Sequence, residues 1–140
     1  MLLLDTDHFT VYANSHHTGS QELRARIHSA NQPAQLPIVT VEEQLRGWLA
    51  RIHRSRDGAQ RLDAYDRLWN LLLVLRRWRI SRWDEAAEKQ FASFRKQKVH
   101  VPTQDLKIAS LAVAHDALLL TRNVKDFVRV PGLRFESWLD

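Results

Sequence analysis

The sequence predicts an α/β domain with a mostly parallel central sheet, on three observations. Short, unbroken apolar runs, Leu2-Leu3-Leu4 and Ala117-Leu118-Leu119-Leu120, read as strands buried on both faces. Between them lie stretches of helical period, such as Val41, Leu45, Trp48, Leu49 and Ile52. One of these, Ile108–Ala114, is apolar nearly all round, as a helix is when buried against a sheet. Strands alternating with helices imply layers of helix on a parallel sheet.

The elements follow in order. The first strand ends on Asp5, and His8–Asn14 is short enough for a helical turn or two. One of two open readings has Asp5 bonding turn amides and Asp7 capping that helix; the other has Asp5 meeting a cation or ligand at the strand end. Ser20 is expected to cap the next helix, which carries Leu23 and Ile27 and stops at Asn31-Gln32-Pro33. Leu36-Pro37-Ile38-Val39 is expected as the second strand, with its proline at the start or on an edge. Thr40 and Glu43 have capping-box spacing, so a helix is expected to begin at Thr40 and to run to the break at Asp57-Gly58. A second long helix, from Ala59 to about Arg77, completes a hairpin with a basic outer surface. Weak alternation over Trp78–Trp83 suggests a third strand, and Asp84 an N-cap for the helix of Ala87, Phe91 and Phe94. Thr103-Gln104-Asp105 opens the buried helix, where the macrodipole favours a carboxylate in the first turn. After the fourth strand, a helix begun near Asn123 puts Asp126 at its third position, and Leu133–Glu136 alternates like a half-exposed edge strand.

Composition bounds the function. A chain of 140 residues is expected to form one domain with a real core. Without cysteine, disulfides and thiolate metal sites are excluded. No stretch approaches the roughly 18 apolar residues of a membrane span, and the initial leucine run is too short for a signal segment, so a soluble protein is expected. The net charge of +5, largely from arginine, favours an anionic partner. The seven histidines are scattered without a zinc-binding spacing and are expected to be solvated or packed. Trp48, Trp69 and Trp78 are expected to pack rather than to stack on bases.

The acids are the informative part. In a parallel sheet, strand ends and the helix starts that follow share one edge. Asp5, Glu43 and Asp105 fall at such points, and Asn123 and Asp126 follow the fourth strand. Each has a structural explanation of its own in a turn or cap. Together they form a crowd of carboxylates with oxygen ligands only, which suits Mg²⁺ or Mn²⁺ and phosphodiester chemistry.

Leu2-Leu3-Leu4-Asp5-Thr6-Asp7, Thr40–Gly47, Asp105–Ala109 and Thr121–Phe127 resemble, in order, the successive motifs of PIN-domain ribonucleases. The ending from Val130-Pro131-Gly132-Leu133 through Trp138 is similar to that of VapC toxins of VapBC toxin–antitoxin pairs. The resemblance implies a three-layer α/β/α PIN-like fold over residues 1–140 and a cytoplasmic, Mg²⁺- or Mn²⁺-dependent endoribonuclease. It implies Asp5, Glu43 and Asp105 as metal-binding catalytic acids, with Thr6 and Thr121 as positioning groups. The fourth position stays open between Asn123, where many relatives have aspartate, and Asp126; so does the choice between one ion and two. RNA as substrate, a small VapB-type antitoxin and a homodimer are the implied partners. Two other classes remain beside this one. A PIN-like protein could bind RNA without cleaving it, and Asp5-Thr6-Asp7 after a leucine strand also resembles the nucleophile motif of haloacid dehalogenase-type phosphatases.

Overall fold

The structure is a computed structural model and describes residues 1–139. Leu2–Leu4 form β1, Ala34–Pro37 β2, Arg79–Ser81 β3, Leu118–Leu120 β4 and Arg134–Glu136 β5. All four pairings are parallel, in the order β3-β2-β1-β4-β5. The helices are α1 (Thr6–Ala13), α2 (Ser20–Ser29), α3 (Ile38–Arg54), α4 (Gly58–Leu75), α5 (Glu85–Lys96), α6 (Thr103–Ala114) and the single turn α7 (Val124–Phe127).

Side chains alternate across a strand, so the leucines of β1 serve two cores. Leu3 and Leu119 face a cluster built with Ala87 and Phe94 of α5, Ile108 and Leu111 of α6, and Phe127. Leu2, Leu4, Leu36 and Leu120 face a second cluster with Phe9, Leu23, Ile27, Leu71 and Leu75. Helices therefore cover both faces of the sheet, and the fold is the expected three-layer α/β/α arrangement. Among the described residues no helix is long and apolar enough to cross a membrane.

Several local expectations are corrected. Asp5 is itself the N-cap of α1, its carboxylate accepting from the Thr6 amide, while Asp7 lies in the first turn. Ser20 is inside α2 rather than at its cap, because its buried hydroxyl turns to the carbonyl of Tyr12 and Gly19 takes the cap position. The second strand is shifted two residues earlier than expected. It ends at Pro37, whose extended backbone makes it the N-cap of α3, so the apolar Ile38 and Val39 are already helical. Thr40 then lies within the first turn, and its hydroxyl donates to the carbonyl of Leu4. No capping box forms there. Trp69 is 62% exposed on α4 rather than packed, whereas Trp78 packs edge-on against Phe9 and Tyr12 as expected.

Candidate active site

The chain runs β1, β2, β3 to one side of β1 and then returns to place β4 on its other side. The crevice between the carboxyl ends of β1 and β4 is the topological switch point, where α/β sheets of this kind bind ligands. Asp5 and Thr121 are the residues that leave those two strands. Asp5 is 7% exposed; its Oδ2 accepts from the Thr121 hydroxyl at 2.8 Å and its Oδ1 from the Thr6 amide at 2.8 Å. The Thr121 oxygen in turn accepts from the amide of Asn123 at 3.0 Å, so the turn after β4 is tied to the acid after β1.

Glu43, freed from the expected capping box, projects from the second turn of α3. It accepts at 2.6 Å from the hydroxyl of Thr6, the residue after Asp5. Glu42 turns elsewhere, to Arg46 at 2.7 Å and to the Gln104 amide at 2.9 Å, and these partners together with Lys107 hold its carboxyl below the usual range. Asp105 stands in the first turn of α6, as expected. The Asn123 amide nitrogen spans two acids, donating to Asp105 at 3.2 Å and to Asp126 at 3.0 Å. The Asn123 oxygen caps α7 by accepting from the amide of Asp126 at 3.4 Å. Asn123 thus meets the acids as a donor, with its carbonyl already engaged.

Electrostatics show that the acids sense one another. Burial first, and then the charges of Asp5, Glu43, Asp126 and Asp7, push the Asp105 carboxyl up to about 6. Burial also raises Asp5; the hydrogen bonds from Thr121 and Thr6 work against the rise, and the charges of Asp7 and Glu43 add to it. Thr6, Thr121 and Asn123 are neutral donors, so they orient these carboxylates without cancelling their charge. The donor set is thus all oxygen and repulsive, which is the chemistry of a site for a hard divalent cation. As placed, no three acidic or imidazole side chains among the described residues stand close enough to share one ion, so ligation would require the carboxylates to turn inward.

Asp7 has a role that the capping expectation missed. Burial pushes its carboxyl up, but hydrogen bonds from His8 and the Arg122 amide outweigh that and hold it below the ordinary value. It accepts from the Arg122 amide at 2.9 Å and from the His8 ring Nδ1 at 2.7 Å. His8 is fully buried, and its Nε2 accepts from the Trp138 amide at 3.0 Å, so the ring proton lies on Nδ1. A satisfied core histidine therefore links α1 to the chain's end. The signal available in the sequence was the second carboxylate of Asp5-Thr6-Asp7.

No family model matches the chain. Over 38 residues it is 47% identical to Ribonuclease VapC2 and 50% identical to Ribonuclease VapC1, both of Rickettsia felis. Those stretches span 27% of this chain and 28% of each relative. Likeness of fold extends over the whole chain. A chain of VapBC2 from Rickettsia felis, solved bound to a DNA fragment from its promoter, superposes with a TM-score of 0.72 and 21% identity, covering 98% of both chains. A chain of VapBC-1 from nontypeable Haemophilus influenzae gives 0.71 at 21% identity, with 99% of this chain and 98% of that one covered. DNA-bound VapBC from Salmonella typhimurium gives 0.71 at 21% identity, covering 98% and 97%.

Proposed function

We propose that this protein is a metal-dependent endoribonuclease and acts as the VapC-type toxin of a type II toxin–antitoxin pair. The observation that carries the reading is the gathering of Asp5, Glu43 and Asp105, with Asp126 beside them, at the switch point of a fold shared with chains of VapBC complexes. The short match to proteins named ribonucleases supports the choice of RNA as substrate.

In this reading Asp5, Glu43 and Asp105 hold Mg²⁺ or Mn²⁺, with Asp126 or Asn123 completing the set. A bound divalent ion supplies an activated water and neutralises charge that develops on the scissile phosphate. The chain's own contribution is to hold the acids near the crevice. Thr121 and the Thr6 amide donate to the two oxygens of Asp5, and the Thr6 hydroxyl donates to Glu43, so each carboxylate turns toward an ion from a fixed neutral donor. Asn123 links Asp105 and Asp126 by donating its amide to both carboxylates. Asp7 holds the turn that carries Asn123.

A VapB-type antitoxin is the proposed partner, the solved neighbours being VapBC complexes. An apolar trough of about 550 Å³ lined by Ile38, Val41, Leu45 and Leu49 lies beside Glu42, where a segment covering the acids could seat. A cytoplasmic homodimer completes the reading.

Asp5→Asn tests it. Asparagine caps a helix about as well as aspartate, so α1 should survive while one ligand charge is lost. RNA cleavage that needs Mg²⁺ or Mn²⁺ in the wild type should vanish in a variant whose circular dichroism is unchanged. Full cleavage by the folded variant would sink the assignment. RNA binding by the wild type without cleavage under any divalent ion would favour the non-catalytic alternative.

A further inference from the structure

A basic cleft lies at the opposite edge of the sheet from the acids. The ends of α1 and α4, the middle of α2 and the starts of β2 and β3 enclose a cavity of about 660 Å³. Arg24, Arg76, Arg77 and Arg79 border it, and among the described residues no aspartate or glutamate lines it. Its walls are apolar, formed by Ile27, Val74 and the edge-on pair of Tyr12 and Trp78, with ring centroids 4.9 Å apart.

The arginines have no counter-charge. Arg24 is bound to the carbonyl of Tyr12, at 2.9 Å and 2.6 Å, and lies over the Tyr12 ring. The guanidinium groups of Arg76, Arg77 and Arg79 make no ion pair or side-chain hydrogen bond among the described residues. Several exposed arginines elsewhere do have an acidic partner: Arg46 has Glu42, Arg67 has Asp63 and Arg134 has Asp116. The negative end of α4 accounts for cations at Arg76 and Arg77. It does not account for Arg24 and Arg79, which arrive from α2 and β3.

We propose that this cleft is a second RNA-binding site, which grips the phosphates of a strand at a distance from the point of cleavage. Guanidinium forks match phosphate oxygens, and an apolar wall behind a cationic rim fits a nucleotide, with its base inward and its phosphate at the mouth. The site lies about one strand length from the acids, roughly 10–13 Å for strands of three or four residues. A strand engaging both sites therefore has to pass round the sheet edge, and the cleft would favour long or folded RNA over short fragments. The proposal rests on RNA as the substrate class.

The test measures binding without cleavage. The full chain, in EDTA, is titrated against a fluorescent single-stranded oligouridylate while KCl is varied. The variant Arg76→Ala/Arg77→Ala/Arg79→Ala should bind about tenfold more weakly or worse. Its logarithmic salt dependence should be shallower by about 2, at roughly 0.7 for each phosphate no longer neutralised. A control, Arg51→Ala/Arg54→Ala/Arg56→Ala, removes the same charge from the α3 end and should weaken binding clearly less. Equal losses in the two variants would mean diffuse attraction and would overturn the proposal. Unchanged RNA affinity, with binding of a polyglutamate peptide abolished instead, would overturn it in favour of an acidic protein partner. Since the assay needs no metal, a failure to cleave RNA would count against the proposed activity and leave this readout standing.

Discussion

Glu42 and Glu43 are neighbours in sequence and differ in everything that follows. Glu43 is held by Thr6 next to Asp5, while Glu42 is paired with Arg46 and Gln104 toward the surface. Glu43→Gln should therefore lose most metal-dependent cleavage, and Glu42→Gln should stay close to wild type; equal losses in a cleavage assay would mean that the two have been assigned the wrong way round. Thr6→Val removes the donor that orients Glu43 and should weaken Mn²⁺ binding by about 10–100-fold, the usual effect of losing a group that fixes a ligand. Asn123 is the subtler case. Its amide donates to two carboxylates, so Asn123→Asp replaces both hydrogen bonds with repulsion. The metal-free variant should melt at a lower temperature than wild type, and the stabilisation it gains from Mn²⁺ should be larger. Thermal melts with EDTA and with Mn²⁺ check both halves; no added gain would place Asn123 outside the ion's reach and leave Asp126 as the better fourth ligand.

At the scale of elements, caps decide where the helices begin, and aspartates supply several of them. Asp57 caps α4 through the Gln60 amide at 2.8 Å, well away from the acids of the crevice. Asp57→Ala should cost about 1 kcal/mol of stability. In urea titrations the midpoint should fall with an unchanged slope, while cleavage by the folded protein stays intact. Asp5 caps α1 as well, so its capping and its proposed ligand role coexist in one carboxylate. The sequence offered them as alternatives, because a cap is legible locally and a crevice is not. For α3 the local signal misled: the spacing of Thr40 and Glu43 satisfied a capping box, but Pro37 had already begun the helix. The result favours the site, since a glutamate in the second turn is free to reach Thr6.

For the whole molecule, crowding the acids makes stability depend on pH and cations. The Asp105 carboxyl sits at about 6 in the fold against an ordinary 3.8, and Asp5 is raised in the same direction. A folded state that holds a proton more tightly than the unfolded chain gains stability as pH falls. For Asp105 that gain accrues on acidifying through about 6 toward 3.8 and is lost again as pH rises. The depressed Asp7 carboxyl works the other way at the acid end. Metal-free protein should consequently melt at a higher temperature at pH 5.5 than at pH 7.5, and Asp105→Asn should flatten that difference. Saturating Mn²⁺ should raise the melting temperature most at pH 7.5, where the acids are charged. A wild-type profile that rises toward pH 7.5 without metal would contradict the repulsion described for the site.

Element types, their order and a layered α/β architecture with a parallel sheet were written in local patterns: leucine runs for strands, period 3.6 for helices, and an all-apolar helix that needs burial on every side. The three layers came from the family resemblance. The acids Asp5, Glu43, Asp105 and Asp126 were legible because they stand at strand ends and helix starts, which a parallel sheet carries to one edge. Other features depended on which chain segments meet, and no local pattern encodes that. The tertiary structure decided that Thr6 serves Glu43 across 37 residues and Thr121 serves Asp5 across 116. It turned the Asn123 amide toward two acids, and it joined Asp7 through His8 to the chain's end. It also drew arginines from α2, β3 and the turn after α4 into one cleft. Local preferences fix the backbone over a few residues, whereas hydrogen bonds and charge interactions between distant residues appear only once packing brings their side chains within reach.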